Sequence, residues 1–236
     1  MIYLVLLLLV LGYLVVEKRL HERRLRRIPV RIHVNGTRGK TAVTQLAAEL
    51  LRQAGVRTLA KTTGDRPLLH APDGRELPLP RLGPARIQEQ VRVVRMAAGA
   101  GVEALVVECM ALDPHLQEIS ATTMLRATVG AVTNVRPDHF EVMGPSLAEA
   151  AEAFARTAPA GGAFVCGAEC PLPALQAAAD RRGSILVPVE PLPGPADPLL
   201  SENLALARAI ALRAGAPADR VEAAAQRIAA RGADGR

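Results

Sequence analysis

The stretch Val30 to Ala54, VRIHVNGTRGKTAVTQLAAELLRQA, restricts the possible folds more than any other part of the chain. Val30, Ile32 and Val34 alternate as in a short strand, and Gly36 and Gly39 bracket a sharp turn. Val43, Leu46, Ala47, Leu50, Leu51 and Ala54 then recur at helical spacing, with Gly55 where a helix commonly ends. This order of strand, glycine turn and helix puts Gly39, Lys40 and Thr41 at a helix N-terminus, where free N–H groups and the positive end of the dipole favour anions. Lys40 can reach the outer phosphates of a nucleoside triphosphate there, and Thr41 can offer its hydroxyl to Mg²⁺. The standard P-loop spacing needs a glycine where this chain has Val34, so the loop is the short Gly36-Thr37-Arg38-Gly39-Lys40-Thr41. A solvated turn that happens to hold Gly and Lys is the competing reading. The threonine after the lysine and the flanking strand and helix argue against it.

Strands and helices go on alternating downstream. Arg57 to Lys61 reads as a second strand, Leu68 to Pro80 as a hairpin about Pro72-Asp73-Gly74, and Ile87, Val91, Val94 and Ala98 as one helical face. Ala104 to Val107 is a continuous apolar run of the kind a strand covered on both faces needs, and it stops at Glu108. A helix from Pro114 to Met124 leads into an apolar strand, Ala127 to Val132, followed by Thr133-Asn134-Val135-Arg136-Pro137-Asp138-His139. The fold class expected is α/β, a mainly parallel sheet flanked by helices. Ligands of such sheets lie beyond the carboxyl ends of the strands. The loop Gly36 to Thr41, Glu108, and Asn134 to His139 each follow an apolar strand, so all three can reach one cavity. Singly, Glu108 reads as a solvated strand-end carboxylate, Asp138 as a helix cap and His139 as a surface histidine. Together, Glu108 and His139 could complete a magnesium site begun by Thr41, although Mg²⁺ prefers oxygen ligands.

Met1 to Val16, MIYLVLLLLVLGYLVV, carries no charge. At ~1.5 Å per residue it reaches about 24 Å, short of a ~30 Å hydrocarbon core, so a transmembrane anchor here needs a thinned bilayer or snorkelling flanks. A cleavable signal peptide is the alternative, but the basic n-region and small-residue cleavage site are missing. Between residues 17 and 31 seven Lys/Arg stand against Glu17 and Glu22, a net +5 of the chain's +6. The positive-inside rule then puts a single-pass chain's body in the cytoplasm, with the basic run against anionic lipid of the inner leaflet. The remainder is near neutral and almost without aromatics, which excludes a nucleic-acid footprint. Cys109, Cys166 and Cys170 form no CxxC pair and suit a reducing compartment.

Asn35-Gly36-Thr37-Arg38-Gly39-Lys40-Thr41 resembles the phosphate loop of the Mur ligases and folylpolyglutamate synthases, and Thr133 to His139 resembles their TN-x-x-x-DH motif. Lys61-Thr62-Thr63-Gly64, Glu108-Cys109-Met110-Ala111, the loop arginine and the N-terminal apolar segment are similar to the poly-γ-glutamate synthase branch. The resemblance covers roughly residues 30 to 169, with an echo at Glu202-Asn203-Leu204. It implies a central ATP-binding domain over residues 30–236, after an anchor (1–16) and a basic juxtamembrane segment (17–29). It implies Lys40 on the outer phosphates, Thr41, Glu108 and His139 on Mg²⁺ directly or through water, and Asn134 and Asn203 near the nucleotide. The chemistry implied is ADP-forming amide ligation between glutamate or poly-γ-glutamate units, beside small membrane subunits.

Residues 150 to 236 are rich in Ala, Pro and Arg, with strands expected at Ala163 to Cys166 and Ser184 to Val187, a loop at Pro188 to Pro198, and helices near Leu199 to Arg213 and Ala218 to Ala230. Mur ligases continue into a C-terminal domain that this chain does not display, so either the chain is shortened or another subunit supplies those groups. A membrane-tethered ATP-binding or ATPase subunit therefore stands beside the ligase as a second reading.

Overall fold

The computed structural model describes residues 1–236 except 65, 82, 84, 85, 139, 145, 194–196 and 234–236, and the backbone only of 140, 141, 232 and 233. The sheet is built from β1 (Val30–Asn35), β2 (Thr58–Thr62), β3 (Leu68–His70), β4 (Glu76–Pro78), β5 (Ala104–Glu108), β6 (Val129–Val132), β7 (Ala163–Gly167) and β8 (Ile185–Val189). Its strand order is β4-β3-β2-β5-β1-β6-β7-β8. From β2 to β8 all pairings are parallel; only the hairpin strands β3 and β4, at one edge, are antiparallel.

Apolar residues alternate within these strands between two helical layers. Ile32, Val34, Ala104, Val106, Ala131 and Val165 pack with α2 (Lys40–Gln53), α8 (Pro198–Arg213) and α9 (Ala218–Ala233). On the other face Leu105, Val107 and Leu59 meet Val93, Val94 and Ala97 of α3 (Glu89–Gly99), while Phe164 and Cys166 meet α6 (Leu147–Ala155), which follows the short α5 (Phe140–Met143), and α7 (Leu172–Arg182). This two-sided burial explains why β5 reads as an unbroken apolar run: all five of its residues are buried.

Three departures from the sequence reading have physical causes. The expected helix Pro114 to Met124 is α4 (Pro114–Glu118), capped by Asp113 through Leu116 N at 2.9 Å, which widens into a π-helical turn at Ile119–Met124. α6 and α7 have no counterpart in the sequence reading, because most of the residues they bury are alanines (Ala150, Ala151, Ala153 and Ala155; Ala178 and Ala179) and only Phe154 and Leu175 mark the buried faces with a large side chain. At the N-terminus α1 (Ile2–Arg26) is helical, but no helix among the described residues is long and apolar enough to cross a membrane. The uncharged part of α1 ends at Val16, and Glu17, Lys18 and Arg19 follow at once. The expectation of a spanning helix is corrected accordingly.

The last turns of α1 belong to the folded body. Leu25 and, just beyond the helix, Ile28 are buried with Val94 and Ala98. His21 Nε2 donates to Met124 O at 2.7 Å, and Glu22 pairs with Arg126 at 2.9 Å. The apolar residues from Ile2 to Val16, by contrast, stand exposed.

Candidate nucleotide-binding site

β1 delivers the phosphate loop from the centre of the sheet. Val34, where a standard P-loop would have glycine, is the penultimate residue of β1 and fully buried, so the turn starts one step later, at Gly36. Gly36 has φ +121°, and a Cβ there would lie 2.2 Å from Thr133 Oγ1. Gly39, at φ +81°, is the residue before α2, and a Cβ there would lie 2.7 Å from Asn203 Oδ1. Only glycine fits either place.

The Thr133-Asn134 pair holds this loop from behind. Asn134 Oδ1 accepts from Arg38 N at 3.0 Å while its Nδ2 donates to Arg38 O at 3.2 Å, and Thr133 Oγ1 donates to the same carbonyl at 2.6 Å. Thr37 Oγ1 accepts from Arg136 N at 3.0 Å, and Asn35 Nδ2 donates to Gln117 at 2.8 Å. All but the last, which reaches α4, join the loop after β1 to the segment after β6, a neighbour in the sheet but about a hundred residues away in sequence. The loop is thus fixed before any ligand arrives. Asn134 was expected near the nucleotide; its side chain here is engaged by the backbone of Arg38, and Asn203 abuts Gly39 from α8.

Lys40 Nζ folds onto the loop's carbonyls, at 2.7 Å from Gly36 O and 2.9 Å from Thr37 O. Burial lowers its pKa from the ordinary lysine value, while nearby Glu108 and Asp138 pull the other way. Thr41 Oγ1 donates to Glu108 Oε1 at 2.9 Å, which leaves the hydroxyl lone pairs open, and Glu108 Oε2 accepts from Thr63 N at 2.6 Å. Thr41 and Glu108 therefore meet as the sequence order of strand ends implied, and the Thr63-Gly64 turn joins them. Among the described residues no group of three or more His, Cys, Asp or Glu side chains is gathered to hold a metal; the oxygen donors at the loop are Thr41 and Glu108. Such hard oxygen donors suit Mg²⁺ with several retained waters. His139, the third expected metal residue, lies outside the described residues, and Asp138 beside it pairs with Arg38 at 3.0 Å.

A cavity of about 230 Å³ opens over this constellation, lined among others by Gly36, Lys40, Thr63, Arg81, Glu108 and Gln117. Arg81 went unnoticed in the sequence because it follows the hairpin with no motif around it. It pairs with Glu89, which also stands 3.7 Å from the buried Lys61 ammonium. Burial pushes the Lys61 pKa down to about 8. Cys109 also lines the cavity, but burial pushes its thiol up to about 11, so it stays protonated and is no nucleophile.

A parallel α/β sheet with a glycine loop at a helix N-terminus, and a threonine–carboxylate pair beside it, defines the class of phosphate-loop domains. Within that class, residues 34–184 match the Mur ligase middle domain, and the chain belongs to that family. It is 44% identical over 152 residues to the capsule biosynthesis protein CapB of Bacillus anthracis, a match covering 63% of this chain and 32% of that protein. It is 43% identical over 160 residues to PGA synthase CapB of Bacillus subtilis (strain 168), covering 66% and 40% respectively. The matches thus span about a third to two fifths of these curated relatives. Among solved structures, E. coli FolC in complex with ADP superposes with a TM-score of 0.70 at 17% identity, over 88% of this chain and 59% of that one. A bifunctional folylpolyglutamate synthase/dihydrofolate synthase with Mn, AMPPNP and L-glutamate bound gives 0.71 at 18% identity, over 89% and 60%. These likenesses establish the fold.

Proposed function

We propose that this chain is the ATP-binding part of an ADP-forming ligase that joins glutamate units through a γ-carboxylate, as in poly-γ-glutamate synthesis. The observation that carries this reading is the meeting of Thr41 and Glu108 at the N-terminus of α2, beside the Lys40 loop and under an open cavity. The similarity to a relative named PGA synthase supports the choice of substrate.

ATP·Mg²⁺ would supply the transferable phosphoryl group and neutralise its charge. In this reading the backbone N–H groups of the loop receive the phosphates, and Lys40 leaves the carbonyls of Gly36 and Thr37 for the outer phosphate oxygens. Thr41 would offer its lone pairs to Mg²⁺, Glu108 would orient that hydroxyl and accept from the ion's retained water, and His139 would stand as a further ligand. Asn134 and Asn203 keep the loop in shape beside the nucleotide. A γ-carboxylate oxygen attacks the terminal phosphorus and ADP leaves; an amine then attacks the acyl carbon and phosphate leaves. The residues' work is alignment and charge stabilisation rather than covalent chemistry.

The exposed apolar arm of α1 supports membrane association, with the arm embedded in the inner leaflet, the basic run at the headgroups and the body on the cytoplasmic side. Small membrane subunits would complete such an assembly. Glutamate-dependent ADP release by the full chain in membranes tests the ligase. ADP release indifferent to glutamate would favour the tethered ATPase instead.

A further inference from the structure

A second cavity, of about 490 Å³, lies between α1 and α3 and shares no lining residue with the phosphate site. It runs beside α1 from Leu14 to Arg24, about 15 Å of helix at ~1.5 Å per residue. Leu14 belongs to the exposed apolar arm, and Val91 and Met124 add apolar wall below it. Four cations line the same space, Lys18 and Arg24 from α1 with Arg92 and Arg95 from α3, against the single carboxylate of Glu17. Glu22, the neighbouring acid on α1, is already taken by Arg126. Arg92 donates one N–H to Pro80 O at 2.7 Å, and among the described residues no ion pair engages Lys18, Arg24, Arg92 or Arg95.

The groove is built rather than incidental. Leu25 and Ile28 lock the foot of α1 into the core against Val94 and Ala98, and the His21 bond to Met124 fixes the floor, so the cations of the two helices are held facing one space. Lys18, Arg92 and Arg95 are exposed and Arg24 half-buried, so together they create a local positive potential that draws an anion, and apolar wall joining it on the side of the arm selects an anion with hydrocarbon attached.

We infer that this groove binds one anionic phospholipid, its phosphate among Arg24, Arg92 and Arg95 and its acyl chains along Leu14 and the arm. The inference rests on the reading of α1 as a membrane-embedded arm. It goes beyond general attraction to a charged surface because two of the cations come from α3, in the folded body. A bound lipid would fix the body's orientation to the membrane.

The test uses the full chain in neutral detergent, with retention of dioleoylphosphatidylglycerol, dioleoylphosphatidylcholine or glycerol phosphate measured by native mass spectrometry. One phosphatidylglycerol should be retained per chain, with phosphatidylcholine and glycerol phosphate lost. R92E/R95E should weaken retention about tenfold or more, as two surface cations near a membrane are each worth ~1 kcal/mol. R92K/R95K should keep it, and ATP-analogue binding should be equal in all three proteins. Equal retention of the two lipids, or no loss in R92E/R95E, overturns the inference; retention of glycerol phosphate alone assigns the groove to a free phosphate and overturns it too. Sedimentation with pure phosphatidylcholine vesicles reports on the arm separately: wild type and R92E/R95E should sediment alike, and failure of both to sediment refutes the embedded arm whatever the groove retains.

Discussion

Lys40 shows how much one side chain must change when a nucleotide binds. Its ammonium rests on two loop carbonyls outside the apolar core, so replacing it unpairs those carbonyls locally and leaves the incoming phosphates without their cation. Lys40→Ala should weaken ATP-analogue binding ~10- to 100-fold, the range of one charged hydrogen bond, with the unfolding midpoint nearly unchanged. Equal affinity in a calorimetric titration would remove Lys40 from the phosphate site. Glu108→Gln keeps an acceptor oxygen for Thr63 N and turns an NH2 donor toward the Thr41 hydroxyl while deleting the charge, so the Mg²⁺ concentration needed for half-maximal nucleotide binding should rise several-fold; an unchanged magnesium titration would reduce Glu108 to a structural bracket. His33 is buried in β1 beside the π turn, 3.5 Å from Ser120 Oγ, and burial, aided by Lys61, lowers its pKa to about 3. Below pH 6.5 the unfolded chain takes up a proton there that the folded chain refuses. Stability is therefore complete well above pH 6.5 and declines as pH falls through it, by about 1–2 kcal/mol from this residue between pH 6.5 and 5. His70 shifts in the same direction, so the measurement is the difference in denaturant stability between wild type and His33→Leu at the two pH values. An identical slope in both would contradict the assignment.

Among the elements, α1 divides at Val16 into an exposed arm and a packed foot. Removing residues 1–16 should leave the unfolding midpoint within a degree or two of wild type. Removing residues 1–30 also strips Leu25 and Ile28 from the core and should cost roughly 3 kcal/mol or more, at ~1.5–3 kcal/mol per large buried apolar side chain. Equal midpoints for the two truncations would show that the foot is not part of the body. The central strands and α2 were legible because apolar runs, a glycine turn and helical spacing each leave a local trace. α6 and α7 were not, since their buried faces are mostly alanine and only Phe154 and Leu175 mark them with a large apolar side chain. The π turn escaped too: an apolar pattern cannot distinguish one wide turn from the end of an α-helix.

At the scale of the whole molecule, the site exists because strand order carries distant segments to one edge. β5 and β6 flank β1, so Glu108 and Thr133-Asn134 arrive on either side of the loop. A sequence marks strand ends, which is why Lys40, Thr41 and Glu108 could be singled out. It does not mark register, so the N–H of Thr63 on Glu108, the two hydrogen bonds between the Asn134 side chain and the Arg38 backbone and the approach of Arg81 appear only in three dimensions. The central claim is that these parts form one magnesium-dependent ATP site. Calorimetric titration of the full chain with a non-hydrolysable ATP analogue, with and without Mg²⁺, tests it most directly. The account predicts one site per chain, tight only with magnesium and weakened ~10- to 100-fold in Lys40→Ala; no binding by the wild type, or binding indifferent to both magnesium and Lys40, would contradict it.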